Sequence, residues 1–253
     1  MYKVWIYITD PIWNNEFHYD ERIALWSEGK IFIPNIIQGN LDNLEEWSEI
    51  VFEEVENWKL ISCTGLKHFL QTEYKWIPTY IFDNHNHALF FRYRYTKKLM
   101  TSFVWKEEVS ADVDGGFKPF VVIHIDQHAD TKENKNSFKV AHASPQEVVS
   151  FTNYGCNVGN FLTSAKQAWI IEDIIQIRSQ NALHNIQPLD FHTYNYILDI
   201  DVDFREWKSQ QEMEIDFEII RKIINNVSLI TIASSPYFFD QKKAIQIIKE
   251  LLH

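Results

Sequence analysis

Val121-Val122-Ile123-His124-Ile125-Asp126-Gln127-His128-Ala129-Asp130 is the stretch whose reading decides the fold. Its first half is apolar and largely β-branched, His124 excepted, which is the pattern of a strand buried on both faces in a parallel sheet. Its second half is Asp-x-His-x-Asp. Open α/β sheets collect ligands just past the carboxyl ends of their strands, so Asp126, His128 and Asp130 are expected where a site is built. Residues i, i+2 and i+4 of a strand also share one face. Carboxylate oxygen mixed with imidazole nitrogen suits Mn, Fe or Zn better than Mg or Ca. The plainer alternative is a capping Asp, a surface His and a turn Asp.

The flanking sequence repeats the pattern. Residues 78–82 read as a second buried strand, ending in Asp83-Asn84-His85-Asn86-His87, with a helix over 88–99. Residues 194–204 read as a third strand with the carboxylate-rich end Asp199-Ile200-Asp201-Val202-Asp203, and 229–233 as a fourth. Helices are expected over 161–179, 215–225 and 241–252. Strands alternating with helices predict an α/β fold, a single three-layer domain over 1–253 with a mostly parallel sheet. Within it, 76–253 forms the core carrying the candidate ligands and 1–75 a divergent aromatic-rich part. In that part the pattern predicts a strand over 2–8 and a short strand over 30–34. Trp13, Phe17, His18, Tyr19 and Trp26 fall in an irregular region between them. Leu44, Trp47, Val51 and Val55 recur at near-helical spacing and predict an acidic helix over 43–58, and a further helix is expected over 64–71. Residues 131–150 form a long polar loop, a candidate active-site wall, and Asp112-Val113-Asp114-Gly115-Gly116 an acidic turn.

Composition narrows the function classes. A hydrophobic content of 45% supports a sizeable core, and a formal charge of −11 offers no basic stripe for phosphates, which argues against a nucleic-acid partner. Two cysteines exclude a disulfide framework or a Cys-based zinc site. No apolar run reaches membrane-spanning length and no signal-peptide pattern opens the chain, so a cytoplasmic location without membrane partners is the expectation. Four or five carboxylates meeting at one place repel one another unless cations neutralise them. With few Lys or Arg beside them in sequence, bound metal is the economical answer.

On these motifs the chain resembles the arginase/ureohydrolase superfamily. Asp126, His128 and Asp130 match its Asp-x-His-x-Asp. Asp201 and Asp203 match the last two positions of its Ser-x-Asp-x-Asp, leaving Asp199 as a supporting carboxylate. His87 best resembles the histidine of its Gly-Gly-Asp-His motif, with His85 in reserve; the glycines themselves are absent. Asp-Asn-His-Asn-His, Val158-Gly159-Asn160-Phe161 and Ser235-Pro236-Tyr237-Phe238 look most like a divergent branch that includes peptide arginases. The resemblance implies an arginase/deacetylase-like fold and two Mn²⁺ per chain held by His87, Asp126, His128, Asp130, Asp201 and Asp203. It implies hydrolysis of arginine residues in a peptide to ornithine and urea, with Asp130 moving the proton and His142 of His142-Ala143-Ser144-Pro145 shuttling it. His85, Asn160, Glu212, Glu214 and Asp240 are its candidates for substrate contact, and a leader segment on the peptide is compatible with it. A zinc-dependent deacetylase-type amidohydrolase and a non-catalytic metal-binding protein are the competing readings.

Overall fold

The computed structural model describes residues 2–9, 19–25, 30–107, 118–136, 138–139, 143–205 and 209–253. His142, the acidic turn at 112–116, and Trp13, Phe17, His18 and Trp26 lie outside the described residues.

The central element is a seven-stranded sheet. In chain order its strands are β3 (Ile36–Gln38), β6 (Phe69–Tyr74), β7 (Ile77–Phe82), β8 (Phe120–Ile125), β9 (Asp173–Ile177), β10 (Asn195–Asp201) and β11 (Leu229–Ala233). In space they run β3-β6-β7-β11-β10-β8-β9. Neighbouring strands from β7 to β9 are all parallel, and only the β6–β7 pair is antiparallel. Chain order reverses across β8, since β9 lies on one side of it and β10 on the other. Such a reversal opens a crevice at the carboxyl ends of the strands.

Helices cover both faces. Strand alternation sends Val122, Ile197 and Leu229 to one face, where they pack with Leu89 and Phe90 of α2 (Ala88–Glu107), Val148 of α3 (Pro145–Tyr154) and Leu162 of α4 (Phe161–Gln167). Ile123, Leu198 and Ile230 go to the other, against Leu183 of α5 (Gln180–His184), Phe217 of α6 (Gln210–Ile224) and Ile248 of α7 (Gln241–Leu251). This is a three-layer α/β arrangement, as the strand–helix alternation predicts.

Three local expectations are corrected. Residues 43–58 and 64–71 are not helical. β4 (Glu46–Glu56) and β5 (Lys59–Leu66) form an antiparallel hairpin, and Phe69 already belongs to β6. Between β4 and β5, Asn57 and Trp58 stand at φ 49° and 61°; between β6 and β7, Lys75 and Trp76 stand at 50° and 68°. Left-handed backbone at both central residues is what a two-residue hairpin turn of type I′ demands. Its usual Asn-Gly signature is absent here, so pairing overrides the apparent helical spacing. The expected helix over 161–179 also breaks. α4 stops before Trp169 at φ 58°, and β9 then enters the sheet beside β8. At the N-terminus only β1 (Ile6–Ile8) is extended; it pairs with β2 (Ile31–Ile33), and a short helix, α1 (Tyr19–Leu25), lies between them in sequence.

Candidate metal centre

Register builds the site. His124 lies opposite Asp199 on β8 and β10, and Asp199 lies opposite Thr231 on β11. All three point to the face that carries α2, and one step further the same face presents Asp126 and Asp201. Each strand end then makes the same small turn. The Asp126 carboxylate accepts from the His128 amide at 2.6 Å, and the Asp201 carboxylate from the Asp203 amide at 3.1 Å. Asp side chains commonly hydrogen-bond the backbone two residues on, and here that turn swings His128 and Asp203 back over the strand ends. From β7 a one-turn helix, His85–His87, adds His85. Asp130 sits at φ 50°, a backbone region rare outside glycine, and its carboxylate reaches the same centre.

The ligand-type atoms converge. His85 Nδ1 lies 3.0 Å from Asp201 Oδ2, 3.2 Å from Asp126 Oδ2 and 3.4 Å from Asp130 Oδ2. His124 Nε2 lies 3.3 Å from Asp126 Oδ2, and His128 Nδ1 lies 3.4 Å from Asp126 Oδ1 and 3.3 Å from Asp203 Oδ2. His85 Nδ1, His124 Nε2, Asp126 Oδ2 and both Asp203 oxygens are buried without a hydrogen-bond partner. Buried polar atoms are rarely left so. Donors about 2.1 Å from a shared ion stand roughly 3.0–3.5 Å from one another, and these separations match. The donor set therefore fits divalent metal.

Beneath it, Asp199 is fully buried and orients His85 and His124. Its Oδ2 accepts from His85 Nε2 at 2.9 Å and His124 Nδ1 at 2.7 Å, while Oδ1 takes the Thr231 hydroxyl at 2.6 Å. Arg92 of α2 pairs with it at 2.5 Å. A carboxylate behind an imidazole selects which nitrogen keeps its lone pair for metal, here Nδ1 of His85 and Nε2 of His124. Ser235, at the end of β11 with φ 45°, donates to Asp201 Oδ2 at 2.5 Å.

Proton affinities follow from these neighbours. Burial pushes Asp130 well up, with the adjacent Asp126 adding to it. Burial and Asp201 raise Asp203 to about 7. Hydrogen bonds to Asp126 and Asp203 raise His128 to about 10. Burial alone would depress His124, but Asp126 and Asp199 outweigh it and bring it to about 9. Burial would likewise raise Asp199, yet Arg92 and the two imidazoles hold it well below the carboxylate range. The cluster thus holds protons that divalent cations would displace.

Asp126, His128, Asp130, Asp201 and Asp203 come together as expected from their strand ends. His87 does not join them. Its ring is packed among Phe69, Phe82 and Tyr2, with Nδ1 2.7 Å from the Tyr2 hydroxyl, and burial depresses it to about 3. His85, the reserve choice, occupies the centre instead, because the one-turn helix points residues 85 and 87 in different directions. The other substrate candidates have local partners. Asn160 accepts from the Asn157 amide, Glu212 pairs with Arg205, Glu214 with Arg221, and Asp240 caps α7. None of these four lines the cavity described next. The sequence reading passed over His124, whose polarity inside an apolar strand was the available signal, and Arg92, for which there was none.

A cavity of about 720 Å³ opens onto the cluster. His85, His128, Asp130, Asp201 and Ser235 form its floor. Phe52, Glu54 and Glu56 of β4 and Tyr237 and Phe238 of the loop after β11 line its sides, together with Lys132, Val158 and Arg178. Tyr237 donates to Glu56 at 2.7 Å. Asn84 ties this hairpin to the site by donating to the Val51 carbonyl at 2.9 Å. Comparison of the chain with family models, with curated proteins and with solved structures gave no match.

Proposed function

We propose that this chain is a metal-dependent hydrolase of the ureohydrolase type, holding two Mn²⁺ and converting arginine side chains of a peptide to ornithine and urea. The observation that carries the reading is the position of the His/Asp cluster, with its unpartnered donor atoms, at the floor of a cavity that has an acidic, aromatic wall. Cations bound there would supply an acidified water and an electrophilic contact for the guanidinium. Glu54 and Glu56 are suited to meet the positive guanidinium, a pairing that Glu212, Glu214 and Asp240 cannot make from their own positions. Phe52, Tyr237 and Phe238 offer apolar surface to the methylene stem. Asp130, whose carboxylate stands at the cavity floor, is suited to accept the water proton and pass it to the departing amine. The net change is one water added, the bond between the guanidinium carbon and Nε broken, and urea released.

A cavity of about 720 Å³ lies within the usual range for ligand sites, with room for an arginine side chain borne on a peptide. A cytoplasmic setting belongs to the same proposal; no described helix is long and apolar enough to cross a membrane. The test is incubation with Mn²⁺ and arginine-containing peptides, read by mass spectrometry. Loss of the mass of cyanamide, abolished by Asp126→Ala with circular dichroism unchanged, is the expected result. Release of acetate from an acetyl-lysine peptide with no such loss would favour the deacetylase reading.

A further inference from the structure

We infer that the cavity is two-signed and selects an arginine with a carboxylate beside it in the peptide, the carboxylate being held by Lys132 and Arg178. The inference rests on the reading above that an arginine-bearing peptide enters this cavity; it does not rest on hydrolysis. Side chains of both signs line the cavity, and the strand order separates them. Glu54 and Glu56 stand on β4, which Asn84 ties to the end of β7 through the Val51 carbonyl and Tyr237, beyond β11, ties through Glu56. Lys132 follows β8 and Arg178 follows β9. β7 and β11 are neighbours on one side of β10, and β8 and β9 on the other. The two strand pairs are thus centred three spacings apart, roughly 14 Å. In an extended peptide successive side chains point to opposite sides. An arginine directed at the acids therefore leaves its neighbour's side chain directed at the cations.

Both cations are fixed in place. Arg178 donates from Nε and Nη2 to the Gln127 carbonyl at 3.1 and 3.0 Å. Among the described residues it makes no ion pair, whereas Arg92, Arg205 and Arg221 each face a carboxylate. A carbonyl does not neutralise a guanidinium, so the charge of Arg178 stays available to a ligand although the chain carries a net charge of −11. The Lys132 amide donates to the Gly159 carbonyl at 3.0 Å. Its stem lies against that glycine, with Cδ and Cε 3.4 and 3.7 Å from where a Cβ would stand. The Gly159 amide in turn donates to the Asn157 side chain at 2.9 Å.

Two positive side chains held at one cavity suit an anion, and a guanidinium pairs well with the planar fork of a carboxylate. A phosphate group would bring nearly twice the negative charge towards Glu54 and Glu56, where like charges repel. A singly charged carboxylate is the better match.

Peptides of the form Gly-Arg-X-Gly and Gly-X-Arg-Gly, amidated and tagged with a neutral fluorophore, test this, with X being Glu, Gln or Lys. A tagged Gly-Gly-Arg with a free carboxyl end, beside its amide, separates a chain terminus from an acidic side chain as the source of the carboxylate. Fluorescence anisotropy is read on metal-free and on Mn²⁺-loaded protein, so that binding is measured with and without turnover. In at least one order the Glu peptide should bind about 5-fold or more tightly than the Gln peptide, the scale of an ion pair at a partly exposed site. The Lys peptide should bind more weakly than either. Lys132→Glu should abolish or reverse the preference, and Arg178→Gln should reduce it. Should Arg178→Gln disturb the turn at Gln127, the exposed Lys132 still decides. Tighter binding of the free-acid peptide alone would support the inference with the chain terminus as the source. Equal affinity across every pair, no binding of any peptide, or a preference unchanged in Lys132→Glu would overturn it. Charge preference without ornithine would sink the hydrolase and leave this inference standing; ornithine without charge preference would do the reverse.

Discussion

At the scale of the residue, two histidines two positions apart have opposite environments. His85 Nδ1 faces the carboxylates of Asp126, Asp130 and Asp201, while His87 is enclosed by aromatic rings and bonds Tyr2. His85→Ala is accordingly expected to abolish tight metal binding with little loss of fold. His87→Ala should keep metal binding and lower stability by about 2 kcal/mol or more, the range for truncating a buried side chain. Thermal melts with and without Mn²⁺ distinguish the two. Asp199 is the second test. It balances Arg92 and takes a hydrogen bond from His85 and from His124, so Asp199→Asn leaves a buried guanidinium poorly compensated. Breaking one partner of a buried pair costs about 3–5 kcal/mol. Chemical denaturation should register that loss, together with weakened metal affinity because the imidazole tautomers are no longer imposed.

At the scale of the element, the β4–β5 hairpin supplies the acidic wall of the cavity, and its closeness to the site depends on a glycine. A Cβ on Gly65 would stand 2.5 and 2.7 Å from the Val51 methyls and 2.9 Å from Asp83 Oδ2. Gly65→Ala should therefore splay β4 from β5 and disturb the hairpin beside Asp83, destabilising the protein by about 1–3 kcal/mol, the usual cost of overpacking. Under the proposed function, KM for a guanidino peptide should rise more than kcat falls. A variant with unchanged melting temperature and kinetics would remove the hairpin from the account of the site. This hairpin is also where sequence reasoning failed. Val51 and Val55 lie four apart, as on a helix face, but both are buried on β4, Val51 against Phe32 and Phe52 and Val55 opposite Leu60 of β5. The turn residues Asn57-Trp58 and Lys75-Trp76 gave no warning, because a bulky residue at positive φ is tolerated only where the surrounding pairing enforces it.

At the scale of the whole molecule, seven strands and two helical layers bring to one crevice acidic groups that would otherwise repel. Metal loading should stabilise the native state alone and raise Tm with concentration. It should also release protons. His128 and His124, raised to about 10 and about 9, and Asp203, raised to about 7, carry protons near neutrality that ions must displace. Apparent Mn²⁺ affinity is therefore expected to increase as pH rises from 6 to 8, and calorimetry in buffers of different ionisation enthalpy would count the protons. Affinity independent of pH would contradict this electrostatic account. The parallel sheet and the strand ends rich in Asp and His were legible in the sequence, because apolar β-branched runs and clustered ligand-type residues are local patterns. Which histidine reaches the centre, which carboxylates face the cavity, and whether residues 43–71 are helix or strand were decided only in three dimensions. Register sets His124 beside Asp199, a one-turn helix turns His87 away, and hairpin pairing outweighs local spacing; each of these depends on partners distant in the chain.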